Sequence, residues 1–130
     1  MKTITIKGIY GIMAILMLVF GLNKFFNFIP VTPPSDATAQ QFLGTMFTSY
    51  LYVVVALAEV VGGILLLWTK TRFLGWLVLL PILFNIVTFH VAHDFIGNGI
   101  WIFPSALFGL ISYYQIPAIK KFLFSGKRKV

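Results

Sequence analysis

Residues 51–69 read LYVVVALAEVVGGILLLWT, a stretch of membrane-spanning length that carries a single charge, Glu59, near its middle. A carboxylate at that depth in a bilayer costs about 2.5–3.5 kcal/mol on insertion scales. Intramembrane charges are rare and face protein or water rather than lipid. Glu59 therefore marks the part of the chain where a polar site is expected.

The helical periodicity around Glu59 divides this stretch into two faces. Positions three, four and seven residues away share the face of the acid, and several of them are small: Tyr52, Val55, Ala56, Gly62, Gly63 and Leu66. The opposite face is bulky and apolar, with Val54, Leu57, Val61, Ile64 and Leu65. The pattern predicts a helix that turns Glu59 toward the protein interior and its large apolar residues toward lipid.

Composition extends this interpretation to the whole chain. Of its 130 residues, 59% are hydrophobic and only 10% are charged, with a mean hydropathy of +0.96. A soluble domain has about 45–50% apolar and about 25% charged residues. The chain has no cysteine, which excludes disulfide-relay chemistry, thiolate metal sites and Fe–S ligation by its own side chains. Composition thus predicts a polytopic, all-α membrane protein.

Four apolar segments, at about 8–29, 49–69, 72–95 and 100–124, are each long enough to cross a hydrocarbon core of about 30 Å. We expect them to form a single domain over residues 1–130, a four-transmembrane-helix bundle. The first segment is too long for the apolar part of a signal peptide, so we expect it to be retained.

The basic residues predict the orientation of this bundle. With four spans, nine of the ten Lys and Arg residues fall on one side and only Lys24 on the other. Basic loops stay cytoplasmic, so we expect an inner (cell) membrane protein with both termini in the cytoplasm. The net charge of +7 is then explained by topology and anionic lipid rather than by nucleic acid. The nine residues are Lys2, Lys7, Lys70, Arg72, Lys120, Lys121, Lys127, Arg128 and Lys129.

The loop at residues 30–49 begins with prolines that disfavour helix, after which Ser35 or Asp36 is a plausible N-cap. One helical stripe is then formed by Phe42, Leu43, Met46 and Phe47. This pattern predicts a short amphipathic helix on the outer membrane surface. A simple extension of the second span explains the pattern equally well.

Lys24 is the predicted partner of Glu59. If the first span runs outward and the second inward, the two residues differ in depth by about 7 Å, within reach of their side chains. An ion pair between them would keep Glu59 ionised and could serve only to specify the fold. A ligand-binding or proton-handling role for Glu59 is the alternative.

The third span ends in a second polar group. His90, His93 and Asp94 lie at positions i, i+3 and i+4, on one face of the helix near the outer surface. Three interpretations stay open: a solvated helix end, a proton or ligand site shared with Glu59, and a metal site, although we assign no metal. Haem is not expected, because both histidines lie on one helix.

Asn85 is a further candidate ligand-binding residue in the third span. It lies one turn after Pro81, where its amide could instead hydrogen-bond a carbonyl freed by a proline kink. On an ideal helix it points about 140° away from His90, so it need not belong to the same cluster.

Two segments resemble the DoxX family of small four-helix bacterial membrane proteins. They are residues 19–25, VFGLNKF, and residues 57–67, LAEVVGGILLL, with Glu59 followed by the Gly62-Gly63 pair. The resemblance covers nearly the whole chain. It implies a relationship to a terminal-oxidase-associated subunit of thiosulfate:quinone oxidoreduction. Related four-helix proteins serve in methylamine utilisation or as receptor-assembly chaperones.

Three functions are therefore considered. The first is an accessory subunit of a membrane redox system that binds a quinone or another small molecule in an outer-half polar pocket. The second is an assembly or chaperone-like partner in which the Lys24–Glu59 pair is purely structural. The third, a proton-linked transporter, is disfavoured because the chain has only three acidic residues. No catalytic residue or autonomous activity is predicted, and the expected partners are lipid, a membrane protein or a second copy.

Overall fold

The computed structural model describes residues 3–95, 97 and 99–128 and is helical throughout, with no strand in that part of the chain. Five α-helices are followed by a short 3-10 turn at Ser125–Arg128. The α-helices are α1 (Thr3–Phe26), α2 (Ala37–Thr48), α3 (Tyr50–Leu66), α4 (Arg72–His93) and α5 (Ile102–Phe124). Lys2 and Lys129, which contribute to the predicted orientation, lie outside the described residues.

Each of the four long helices α1, α3, α4 and α5 runs antiparallel to the long helices that it contacts. Helix α1 packs on α3 and α5, and α4 packs on the same two helices. Tyr10 of α1 meets Gln115 of α5, and the indole of Trp76 in α4 bonds Ser112 of α5. The resulting core is one continuous cluster: Tyr10, Met13, Ala14, Met17, Leu66, Trp76, Leu79, Leu83, Phe108 and Ile111.

Length and composition identify the helices that could cross a membrane. Within the described residues, α1, α4 and α5 are long and apolar enough, and α2 with α3 gives a fourth candidate if that bent pair is counted as one span. Several long apolar helices thus indicate membrane insertion. Helix α1 begins five residues before the predicted first span, whereas α3 is only 17 residues long.

The adjacent glycines of α3 allow two close helix contacts on different sides. A Cβ at Gly63 would lie 3.1 Å from the backbone oxygen of Ala14 in α1. A Cβ at Gly62 would lie 2.6 Å from the Leu79 side chain of α4. The small-residue face predicted around Glu59 is therefore buried, and four residues of the opposite face, Val54, Leu57, Val61 and Ile64, are exposed as predicted. Leu65, predicted for the same exposed face, is instead half-buried and lies against Gly75 of α4.

Helix α2 is a separate element, so its interpretation as a simple extension of the second span is wrong. The two helices meet at an angle of 81°. Asp36 is the N-cap and accepts a 2.9 Å hydrogen bond from the Ala39 amide, while Ser49 caps the start of α3. Helix α2 packs against α3 and α4, with Phe42 stacked on Phe89.

Candidate functional sites

Lys24 and Glu59 form the predicted ion pair. The Lys24 Nζ lies 2.7 Å from the Glu59 Oε2 and 3.4 Å from the backbone oxygen of Phe20. Only 3% of the Glu59 side chain is exposed, against 19% of that of Lys24. The acid is thus enclosed by protein, whereas the lysine is partly exposed.

The close crossing of α1 and α3 brings the two charges together. A Cβ at Gly21 would lie 3.0 Å from the backbone oxygen of Ala56, so the helices touch one turn away from both charges. At this short separation the Lys24 side chain spans the remaining gap. The residues of the VFGLNKF segment and of the Glu59 helix therefore act as one structural unit.

Asn23 secures the end of α1 beside this pair, a role that sequence reasoning missed. Its amide bonds both backbone groups of Ile29: the Ile29 N–H donates to Asn23 Oδ1 at 2.6 Å, and Asn23 Nδ2 donates to the Ile29 oxygen at 3.1 Å. Asn27 adopts a φ of 51°, the left-handed conformation that asparagine tolerates in a chain reversal. The asparagine-rich end of an otherwise apolar helix was the available signal.

The two histidines of the predicted cluster lie beside different acids in the structure. His90 Nδ1 lies 3.5 Å from Asp94 Oδ2, and the His90 ring stacks on Trp101 with centroids 5.0 Å apart. His93 instead faces the α2 N-cap, with its Nδ1 3.5 Å from Asp36 Oδ2. In the part of the chain that the structure describes, no group of three or more His, Cys, Asp or Glu could hold a metal.

Asn85 belongs to neither group. Its side chain is on the exposed face of α4, and it makes no hydrogen bond to the described residues. The prediction that it bonds a carbonyl freed by Pro81 is therefore wrong. The nearby Thr88 hydroxyl is already engaged, donating to the backbone oxygens of Phe84 and Asn85.

A groove lies at the opposite end of the helices from the Lys24–Glu59 pair. It has a volume of about 310 Å³ and is lined by Ile6, Tyr10, Thr69, Arg72, Phe73, Tyr114, Gln115 and Ala118. A second concavity lies beside Tyr113, Ile116 and Pro117. Neither includes Lys24, Glu59, His90 or Asn85, so both depart from the predicted outer-half pocket.

Three polar side chains are arranged at the floor of this groove. Gln115 Nε2 donates a 2.6 Å hydrogen bond to the Tyr10 hydroxyl, and both residues are buried. The Arg72 guanidinium lies 4.3 Å from the centroid of the Tyr10 ring, a cation–π contact. Arg72 Nε also donates to the backbone oxygen of Leu66, a favourable position for a cation at the C-terminus of α3.

Arg72 and Gln115 have more N–H donors than these internal hydrogen bonds use. A guanidinium has five N–H groups and an amide has two, so donors remain beside the aromatic walls formed by Phe73 and Tyr114. Such a site can hold a planar, apolar molecule that carries hydrogen-bond acceptors. Sequence reasoning missed it, although an arginine at a helix start and a glutamine within an apolar helix were visible.

Comparisons of this chain with protein-family models, with curated proteins and with solved structures found no match. The resemblance to the DoxX family therefore stays a prediction, carried by the two segments around Lys24 and Glu59.

Proposed function

We propose that the chain is a DoxX-like, multi-pass protein of the inner membrane that crosses the bilayer four times with both termini in the cytoplasm. The antiparallel packing supports this topology, because it gathers Lys7, Lys70, Arg72, Lys120 and Lys121 at one end of the helices. Basic residues on the cytoplasmic side then agree with the charge bias of membrane proteins. In this orientation the groove opens in the cytoplasmic half of the membrane.

The protein binds a lipid-soluble ring compound of the quinone class in this groove, as an accessory subunit of a membrane redox system. The observation that carries the proposal is the Tyr10–Arg72–Gln115 group beneath apolar walls. Quinone carbonyl oxygens are acceptors that match the free N–H groups of Arg72 and Gln115. The ring would lie against Phe73 and Tyr114, and its tail would lie in the bilayer.

The Lys24–Glu59 pair then has a structural role. Glu59 is almost fully enclosed and already bonded to Lys24, which leaves it no face for a second molecule. The pair fixes α1 on α3, and these helices carry Tyr10 and the carbonyl that Arg72 contacts. We therefore place the proposed ligand site at the basic end of the helices, and not in the outer half where the sequence predicted it.

Quenching of tryptophan fluorescence tests the ligand, since Trp76 stacks on Phe73 at 5.8 Å. The protein in detergent is titrated with decylubiquinone, a short-chain quinone. We expect saturable quenching that weakens about tenfold in Arg72→Gln, the loss of one charge-assisted hydrogen bond. Lys70→Gln, an exposed cation at the same end, is the matched control and keeps the affinity of the unmodified chain.

The proposal fails if quenching does not saturate, or if Arg72→Gln and Lys70→Gln bind equally well. It also fails if phosphatidylglycerol competes for the groove while the quinone does not bind, because an anionic headgroup would then be the ligand. In that case the assembly-partner function is favoured, since the closed Lys24–Glu59 pair needs no ligand.

A further inference from the structure

The basic end of the helices contains none of the chain's acidic side chains. The chain has only three Asp and Glu residues, and each of them lies in another part of the structure. Glu59 is paired with Lys24, and Asp36 and Asp94 lie beside the two histidines at the other end of α4. Arg72, the first residue of α4, therefore has no carboxylate side chain beside it.

Arg72 is held in position, but its charge is not neutralised. Its Nε donates a 3.2 Å hydrogen bond to the backbone oxygen of Leu66, and the guanidinium lies 4.3 Å from the centroid of the Tyr10 ring. The Nη groups have no hydrogen-bond acceptor among the described residues. Arg72 is also half-buried and lines the groove, so the cation is partly removed from water. A negative charge on the ligand would offset the free energy that this desolvation costs.

Tyr10 supplies a second group that attracts negative charge. Its hydroxyl accepts the 2.6 Å hydrogen bond from Gln115 Nε2, and a phenol hydroxyl also carries one proton that it can donate. In the part of the chain that the structure describes, no residue accepts that proton. Only 3% of Tyr10 is exposed, so little of it is open to water. The floor of the groove thus offers a cation and a free O–H group, and a bound anion can accept from both.

The walls of the groove favour one kind of anion. Phe73 and Tyr114 contribute aromatic rings, and two aliphatic side chains line the groove beside them. A small inorganic anion keeps its hydration and gains little from such walls, whereas a flat ring buries its faces against them. We propose that the groove binds an acidic ring compound as its anion, with an ionised ring hydroxyl beside Arg72 and Tyr10. This inference rests on the proposed quinone-class function, and it narrows the ligand to hydroxyl-bearing quinones.

Two naphthoquinones that differ in one group test the charge of the ligand. Lawsone carries a ring hydroxyl that is ionised at neutral pH, whereas its O-methyl ether cannot ionise. Each is titrated by isothermal calorimetry into the unmodified chain and into Arg72→Gln in the same detergent, so that partition into the micelle cancels for each ligand. We expect Arg72→Gln to weaken lawsone about tenfold more than it weakens the ether, because a hydrogen bond between two charged groups is stronger than one to a neutral acceptor.

Three further variants separate charge from other effects of the substitution. Lys70→Gln removes an exposed cation at the same end and should leave both affinities unchanged. Arg72→Lys keeps the positive charge and should retain most of the additional affinity for lawsone. Tyr10→Phe keeps the ring beneath Arg72 but removes the O–H donor, so it should also weaken lawsone more than the ether.

Equal losses for lawsone and the ether in Arg72→Gln overturn the inference and leave the proposed function standing. Displacement of lawsone by excess inorganic phosphate also overturns it, because the aromatic walls would then play no part. If neither naphthoquinone binds saturably, the proposed function fails and the inference fails with it. Should Arg72→Gln not fold, acidification of the unmodified chain replaces it: the affinity for lawsone should fall toward that of the ether as the lawsone hydroxyl is protonated, and an unchanged affinity contradicts the proposal.

Discussion

Replacing Lys24 with methionine tests the structural role of the buried ion pair. The substitution keeps the length of the side chain but leaves the Glu59 carboxylate enclosed, with 3% of its side chain exposed and its 2.7 Å partner removed. Loss of one member of a buried pair costs about 3–5 kcal/mol of unfolding free energy. We expect about 3 kcal/mol, because Lys24 itself is partly exposed and the pair is not fully desolvated.

Replacing Glu59 instead of Lys24 should lower the free energy of unfolding by a smaller amount. In Glu59→Gln the amide oxygen still accepts a bond from Lys24, and the flexible lysine can extend its ammonium toward the membrane interface. We expect a loss of about 1–2 kcal/mol, the scale of a weakened hydrogen bond. The double variant Lys24→Met/Glu59→Gln, which removes both charges, should be more stable than Lys24→Met alone.

Equilibrium unfolding in mixed micelles, followed by circular dichroism, measures the four free energies of this double-mutant cycle. Lys70→Met, which removes an exposed cation, is the control and should change stability by less than about 0.5 kcal/mol. The reasoning is refuted if Lys24→Met costs less than 1 kcal/mol, or if the two single losses simply add in the double variant.

Three further results are expected. Gly75→Ala should lower the unfolding free energy by about 1–3 kcal/mol, because its Cβ would lie 2.9 Å from a backbone oxygen of α3; Gly11→Ala, with open space around it, should be neutral or slightly stabilising in the same melts. Asp36→Ala removes the N-cap of α2 and should cost about 1 kcal/mol, seen as faster amide exchange confined to α2. For topology, Thr38→Cys and Ser125→Cys should react with a membrane-impermeant maleimide from opposite sides; labelling of both from one side would exclude four spans.

Much of the fold was predictable from the sequence because the spacing of apolar and small residues along a helix is a local pattern. The two faces of α3 follow from the 3.6-residue period, and burial of Gly62 and Gly63 follows from the small residues beside Glu59. The Lys24–Glu59 pair was predictable for a related reason. Few charges occur within the spans, so depth alone was enough to match the two residues.

The remaining site features depend on how the helices are rotated and spaced, which no local pattern encodes. Tyr10 and Gln115 are 105 positions apart, and their contact requires the register of α1 against α5. The spacing of His90 and His93 predicts that they share one face of α4. In the structure the α2 N-cap, Asp36, lies beside His93, whereas His90 lies beside Asp94. The sequence predicted that Asn85 bonds a carbonyl of its own helix freed by a kink at Pro81. In the structure the Asn85 side chain lies on the exposed face of α4 and makes no such bond.

The most direct test of the central claim is photo-cross-linking with an azido-benzoquinone in native-like membranes, followed by mass spectrometry of the labelled peptides. A ligand bound in the groove should label the segments that contain Phe73 and Tyr114, and excess decylubiquinone should prevent this labelling. Labelling concentrated around Lys24 and Glu59, or spread evenly over the lipid-facing surface and insensitive to competitor, would contradict the proposed site.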